Sequence, residues 1–170
     1  YTSTNEAVIN PTTGVVTATG LAEQTSVTLT ATVTRGEATA TADFVIKVGP
    51  LPMSDVADVY TTLVGDLIKV TGILTTDIKP AQYFFQDETA GIALDVYTMQ
   101  TAFAAIPIGS EIIITGQVDL VNGLYEINVM SYEVQATTPA LPTPTDINAV
   151  PFTNEALLAY QGQLVAFSGF

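Results

Sequence analysis

Regular alternation of apolar and polar residues is the feature that most narrows the folds open to this chain. The stretch SVTLTATVT (26–34) places apolar residues on one side of an extended strand and mainly threonines on the other. After a turn at 35–37, ATADFVIKV (40–48) alternates in a related way. The two stretches together predict a β-hairpin with one buried face. The residues predicted on that face are Val27, Leu29, Ala31, Val33, Phe44, Ile46 and Val48.

The segment around this hairpin carries phrases known from one family. TSTNEAVI, the turn NPTTGVV, the strand VTLTA and the closing strand FVIKV resemble the later strands of bacterial immunoglobulin-like (Ig-like) domains. The resemblance covers residues 1–48 and implies a β-sandwich whose opening strands would lie before Tyr1. The short GPLP stretch at 49–52 is predicted to be a linker.

Five further strand signals follow between residues 53 and 136. They are GDLIKVTGIL (65–74), QYFFQDETAG (82–91), IALDVYT (92–98), GSEIIITGQV (109–118) and LYEINVMSYEV (124–134). Ser54 is predicted to cap a helix before the first strand, a short helix is predicted at 101–106, and Asn122-Gly123 signals a tight hairpin. Three strands, a helix and two strands are the order of an OB-fold, a five-stranded Greek-key barrel.

The same stretch resembles the OB-fold domains of secreted bacterial nucleases and surface proteins. The similarity lies in GDLIKVTGI, in YFFQDETAGIAL and in the second glycine-flanked phrase GSEIIITG. Gly72 and Gly116 are predicted to be bends or bulges of the barrel. The predicted barrel core consists of Ile68, Val70, Ile112, Ile114, Ile127 and Val129.

The first glycine-flanked phrase recurs at the end of the chain. GDLIKVTGI begins at Gly65 and GQLVAFSGF at Gly162, and the Pro-rich spacer TTPALPTPTD (137–146) lies between them. Residues 147–170 are therefore predicted to be the start of a second OB-like unit. The expected fold class is all-β. A partial Ig-like sandwich is followed by a five-stranded OB-fold barrel with short helices and then by the start of a second OB-like unit.

The charge of the chain limits its predicted partners. The 170 residues include 17 acidic and 4 basic ones, for a net charge of −13. Nucleic-acid affinity depends largely on Lys and Arg, so we predict that nucleic acid is not a partner. No apolar run approaches the roughly 20 residues of a membrane span, so direct membrane insertion is not expected.

Cysteine and histidine are both missing from the sequence. Their absence removes thiolate nucleophiles, histidine-based triads and the usual zinc sites. We therefore predict that the chain is not an enzyme. A Cys-free, Lys-poor and Thr-rich composition is typical of extracellular, cell-surface proteins of bacteria.

Four aromatic residues are candidates for binding a glycan or a peptide. Tyr83 and Phe85 lie on the second predicted barrel strand, and Tyr97 and Tyr125 lie on two later predicted strands. The alternative interpretation of the Tyr83–Phe85 run is core packing plus one shielded aromatic residue.

Three carboxylates are candidate calcium ligands. Asp87 and Glu88 lie in the predicted turn, with Asp95 expected across the hairpin. The alternative is that they are solvent-facing turn residues, and no other cofactor is expected.

The last predicted strand raises the question of assembly. A strand without a following partner exposes backbone donors and acceptors. Its residues Leu164, Val165, Phe167 and Phe170 are candidates for strand exchange that joins copies through their terminal strands. The alternative is that the chain is simply cut there.

These features together predict a non-catalytic structural or adhesive module of a modular cell-surface protein, with assembly into a fibre as an extension. The alternatives are an accessory OB-fold region of a secreted nuclease or phosphoesterase, and a carbohydrate-binding module.

Overall fold

The chain folds as two compact units, Tyr1–Pro52 and Met53–Phe170. The structure, a computed structural model, describes residues 1–17, 21–79, 81–135 and 140–168, without the side chains of 77–79. Strands dominate both units and the helices are short, which confirms the predicted all-β class. Within the described ranges no helix is long and apolar enough to cross a membrane.

The first unit is built on one long antiparallel hairpin. Strands β1 (Thr2–Ser3), β2 (Thr25–Arg35) and β3 (Ala38–Val48) form a sheet in the order β1-β2-β3. Arg35 pairs with Ala38 across the predicted turn, and Gly36 has a φ of 63°, which glycine adopts without strain. The predicted hairpin is confirmed.

The apolar face of this hairpin is buried at one end only. The buried end consists of Val8, Ile9, Val27 and Val48, with Leu21 and Leu29 packed against them. Towards the turn, Val33 is 69% exposed, and Phe44 on the partner strand is 54% exposed. The expectation of a continuously buried face is therefore wrong near the turn, and it is also wrong for Ile46, which pairs with Val27 but is 36% exposed. Val8 and Ile9 cover only part of the end opposite the turn.

The second unit contains the predicted barrel. Its strands are β4 (Leu67–Lys79), β5 (Gln82–Gln86), β6 (Gly91–Asp95), β7 (Glu111–Val121) and β8 (Leu124–Val134). The sheet closes in the order β4-β5-β6-β8-β7, with β6 and β8 parallel and the other neighbours antiparallel. The order and the closure confirm the predicted OB-fold barrel.

The barrel core is the one predicted from the alternation. All six predicted residues are at most 3% exposed, and Phe85 and Phe103 are fully buried beside them. Gly116 lies at a register shift between β7 and β8. A Cβ on Gly72 would fall 2.6 Å from the Gln86 carbonyl oxygen, so both glycines lie where the sheet leaves no room for a side chain.

The predicted helices are present but shorter than expected. A 3₁₀-helix spans Val56–Tyr60 with Asp55 at its N-cap, so the prediction that Ser54 is the cap is wrong. The Ser54 amide instead donates to the Lys69 carbonyl at 2.8 Å, which holds that residue against β4.

The helical segment after β6 is also shifted from its predicted position. A 3₁₀-helix at Tyr97–Met99 leads into α1 (Gln100–Phe103), whereas the sequence predicted a helix over 101–106. Phe103 ends α1 inside the core and Ile106 is 8% exposed, so burial of these two residues determines the shape of the segment.

The segment after the barrel forms a small parallel pair. Strand β9 (Thr145–Asp146) pairs with β10 (Val165–Ala166), and α2 (Asn154–Leu158) lies between them in the chain. The Thr153 hydroxyl caps α2 by accepting from the Ala156 amide. The two glycines that begin the repeated phrases, Gly65 and Gly162, both have positive φ, of 96° and 72°.

Candidate functional site: the turn between β5 and β6 and the barrel surface beside it

The QDETA turn between β5 and β6 is organised by one carboxylate. Asp87 Oδ1 accepts hydrogen bonds from the Thr89 amide (2.7 Å), the Thr89 hydroxyl (2.6 Å) and the Ala90 amide (2.9 Å). This is the local side-chain-to-backbone pattern that makes aspartate a turn residue. The carboxylate therefore determines the conformation of the turn.

The same turn also holds the 3₁₀-helix that precedes the barrel. Asp87 Oδ2 accepts from the Val56 amide at 2.8 Å, and the Thr89 hydroxyl oxygen accepts from the Ala57 amide at 3.0 Å. Burial of Asp87 favours its protonated form, but the hydrogen bonds from Thr89, Val56 and Ala90 outweigh burial and lower the pKa of the carboxyl. The ionised Asp87 carboxylate is therefore the acceptor that pairs backbone amides of the turn and of the 3₁₀-helix.

The three candidate calcium ligands do not meet. Asp87 follows β5 directly, whereas Asp95 pairs with Gln82 at the opposite end of the same hairpin. Five residue steps of about 3.3 Å, from Gln82 to Asp87, separate these two positions by roughly 16 Å along the strand. Glu88 is exposed in the turn, and Asp95 accepts from the Tyr97 amide at 2.9 Å. Among the described residues no group of three or more acidic side chains is placed to hold a metal ion.

The four candidate aromatic residues are also dispersed. Tyr83 and Phe85 point into the core, and the Tyr83 ring packs edge-on against Phe103 with centroids 5.0 Å apart. Tyr125 is half-buried against Tyr60, and Tyr97 is 77% exposed. The structure does not bring these rings to one surface. Phe84, between the two core residues, is the half-buried aromatic residue on the outside of the barrel.

The residues predicted for strand exchange are engaged within the chain. The Leu164 carbonyl accepts from the Thr145 amide at 2.9 Å, and Val165 pairs with Thr145 in the β9–β10 ladder. The Phe167 ring packs edge-on against Phe152 with centroids 6.0 Å apart. Phe170 lies outside the described residues. A donated strand would have to exchange these hydrogen bonds.

The sequence did not single out the residues that contact this terminal segment. Gln86 Oε1 accepts from the Leu164 amide at 2.6 Å, and the Tyr60 hydroxyl donates to the Gly91 carbonyl at 2.5 Å. Burial raises the pKa of Tyr60 to about 12. Gln86 and Gly91 belong to the QDETAGI phrase, so that phrase was the available signal, but nothing in it identifies the segment that it contacts.

A cleft of about 600 Å³ lies next to the turn. Its walls come from β4, from the start of β7, from the turn, and from Pro142, Thr143, Thr145 and Gln163 of the following segment. Most of the lining groups are hydroxyl, amide and carboxylate groups. The lining includes Thr71, Gln86, Glu88, Glu111, Thr143 and Gln163.

The chain therefore consists of an Ig-like segment followed by an OB-fold barrel. The first part is identified by its sequence: residues 1–51 match the family described as the atrophied bacterial Ig domain. The match confirms the resemblance seen in the phrases of residues 1–48. No curated protein matches the chain in sequence.

Three solved structures are similar to part of this chain at low sequence identity. The hypothetical protein YgiW from E. coli is 18% identical, with a TM-score of 0.43, over 51% of this chain and 91% of that one. The telomere capping protein Ten1 from Saccharomyces pombe is 11% identical, with a TM-score of 0.42, over 51% and 83%. The S. pombe Stn1–Ten1 complex is 14% identical, with a TM-score of 0.35, over 42% and 59%.

These neighbours correct one prediction about partners. The exclusion of nucleic acid rested on charge composition, and it is wrong as a general exclusion, because a telomere capping protein is among the structures with this barrel. Net charge describes the whole surface and does not describe one face of a barrel.

Proposed function

We propose that this chain is a non-catalytic module of a modular bacterial cell-surface protein. The observation that carries the proposal is the match of residues 1–51 to a bacterial Ig-like family, followed by a separate OB-fold barrel. The Cys-free, Lys-poor and Thr-rich composition supports the same environment. In this role the two units act as spacer and binding or docking elements of a longer protein.

The chemistry around the QDETAGI phrase supports a role without catalysis. Asp87 is occupied by four hydrogen bonds, three of them from backbone amides, and a carboxylate used in this way is not available as a general base. The sequence contains no histidine or cysteine to supply another base or nucleophile. A carbohydrate-binding module has less support, because the Tyr83 and Phe85 rings lie in the core.

Protease treatment of intact cells tests the proposed location. Cells of the bacterium that encodes the chain are treated with proteinase K, and the chain is followed with an antibody raised against the barrel. We expect the signal to disappear from intact cells while a cytoplasmic control protein stays intact. Loss of the signal only after lysis would overturn the proposal.

A further inference from the structure

The outside of the barrel at β4, β5 and β6 is covered by a later part of the same chain. We define the strap as Gln161–Leu164, the four residues that directly precede β10. The strap residues Gly162, Gln163 and Leu164 line a small cavity of about 200 Å³ together with Thr75, Thr76 and Phe84. Thr75, at the register shift of β4 against β5, is 5% exposed, whereas Thr76 beside it is exposed, so the strap covers this surface at Thr75.

The contact between the strap and β6 requires glycine on both sides. A Cβ on Gly91 would collide with the backbone of Gly162 and Gln163, and a Cβ on Gly162 would fall 2.6 Å from the Ile92 nitrogen. Gly162 also has a left-handed φ of 72°, which disfavours any other residue. The backbones of the strap and of β6 are therefore in direct contact, with no space for a side chain between Gly91 and Gly162.

Polar groups secure the strap at both ends. The Leu164 amide donates to Gln86 Oε1 at 2.6 Å, and Gln86 is 5% exposed. The Tyr60 hydroxyl, which donates to the Gly91 carbonyl, also lies 3.3 Å from the Gln161 carbonyl oxygen. A buried polar side chain that receives its hydrogen bond from the strap would lose that bond if the strap left.

We propose that the strap closes the outer face of β5 and β6 and that this face becomes accessible only when the strap is released. Strands β5 and β6 correspond to the second and third strands of an OB-fold. The outer face of those two strands is where OB-folds bind extended ligands. In this chain the strap itself occupies that face. Any molecule that binds there has to displace Gln161–Leu164.

A single introduced thiol measures this closure, because the natural sequence has no cysteine. Thr75→Cys places a thiol under the strap, and Ser131→Cys places one on an exposed strand as the reference. The reaction of each thiol with Ellman's reagent is followed under native conditions. We expect the Thr75→Cys thiol to react about a hundredfold more slowly than the reference, since it reacts only through opening of the strap.

Two glycine variants separate strap contact from backbone strain. Added to Thr75→Cys, Gly162→Ala should speed the reaction by about tenfold, because the new methyl group collides with β6. Gly123→Ala, at a φ of 85° but with no atom within 4 Å of its Cβ, should leave the rate within about twofold. Circular dichroism verifies that each variant is folded.

Two results would overturn the proposal: a Thr75→Cys thiol that already reacts at the reference rate, or a folded Gly162→Ala variant with an unchanged rate. If Gly162→Ala fails to fold, hydrogen exchange of the unmodified chain decides. Protection of the Leu164 amide is then expected, and exchange at the rate of an unstructured peptide would contradict the closure.

Discussion

At the scale of single residues, the QDETAGI phrase connects the β5–β6 turn to the 3₁₀-helix before the barrel and to the strap. Asp87 determines the turn and caps the helix before the barrel, Gln86 bonds the strap, and Gly91 leaves room for Gly162. Hydrogen bonds and close contacts thus account for these three residues of the phrase. Substitutions in this phrase should therefore change stability.

Replacing Asp87 tests that conclusion. Asp87→Ala should lower the free energy of unfolding of the barrel by about 2–4 kcal/mol, because it leaves several amides without an acceptor. Glu88→Ala, at the exposed neighbouring position, should change it by less than about 0.5 kcal/mol. Urea unfolding followed by tyrosine fluorescence measures both, and equal effects would contradict the assigned role.

The lowered pKa of Asp87 predicts how stability depends on pH. The ionised carboxylate is favoured in the folded state, so its contribution is complete above the ordinary aspartate pKa of about 4 and is lost as the pH falls through the lowered folded value. Asp87→Asn should therefore reduce the loss of stability between about pH 4 and pH 2. Parallel acid-unfolding curves for the two proteins would show that Asp87 makes no such contribution.

At the scale of elements, the same alternation has different outcomes in the two units. In β7 three consecutive isoleucines separate into a core side, with Ile112 and Ile114, and an outer side, with Ile113, of a closed sheet. In β2 and β3 the apolar face continues past the residues that cover it. An alternating pattern therefore identifies a face, and a second layer is needed to bury it.

Neighbouring isoleucines of β7 test the barrel assignment. Ile114→Ala should cost about 2–5 kcal/mol of unfolding free energy, because the side chain is fully buried. Ile113→Ala, at the next position and only partly buried, should cost clearly less. A loss below about 0.5 kcal/mol for Ile114→Ala would contradict the strand assignment.

Two valines of β2 test the half-covered hairpin. Val27→Ala should lower the local stability of β2 and β3 by about 1–3 kcal/mol, since Val27 is fully buried. Val33→Ala should have an effect below about 0.5 kcal/mol, since Val33 is exposed near the turn. Native-state hydrogen exchange of the β2 and β3 amides measures the difference, and similar effects would indicate that the face near the turn is covered in solution.

At the scale of the whole molecule, the sequence limits what the chain can catalyse. It contains neither histidine nor cysteine, and Asp87 is already bonded within the QDETA turn. Those residue types supply most side-chain bases and nucleophiles at neutral pH.

An activity assay tests this limit directly. The purified chain should not hydrolyse DNA, p-nitrophenyl phosphate or a panel of glycans above the rate of buffer alone. Turnover that is abolished by Asp87→Asn or by Glu88→Gln would contradict the prediction, because it would assign those carboxylates to a reaction.

The sequence alone determined the fold class, the order of the barrel strands and the barrel core. Each of these follows from local patterns: alternation assigns the faces, glycine-flanked phrases delimit strands, and Asn122-Gly123 forms the predicted tight turn, with φ of 54° and 85°. The inward face that contains Tyr83 and Phe85 was one of the interpretations that the alternation allowed. Patterns that extend over a few residues are sufficient to predict strand faces, strand limits and tight turns.

The tertiary structure decided which predicted groups meet. Asp95 lies at the far end of the hairpin from Asp87 because strand register separates them, and half of the Ig-like apolar face lacks a covering layer. The contact of the strap joins Gly91 to Gly162, residues far apart in the chain. Neither stretch contains a signal for its partner, since contact between distant backbones depends on how the whole unit closes.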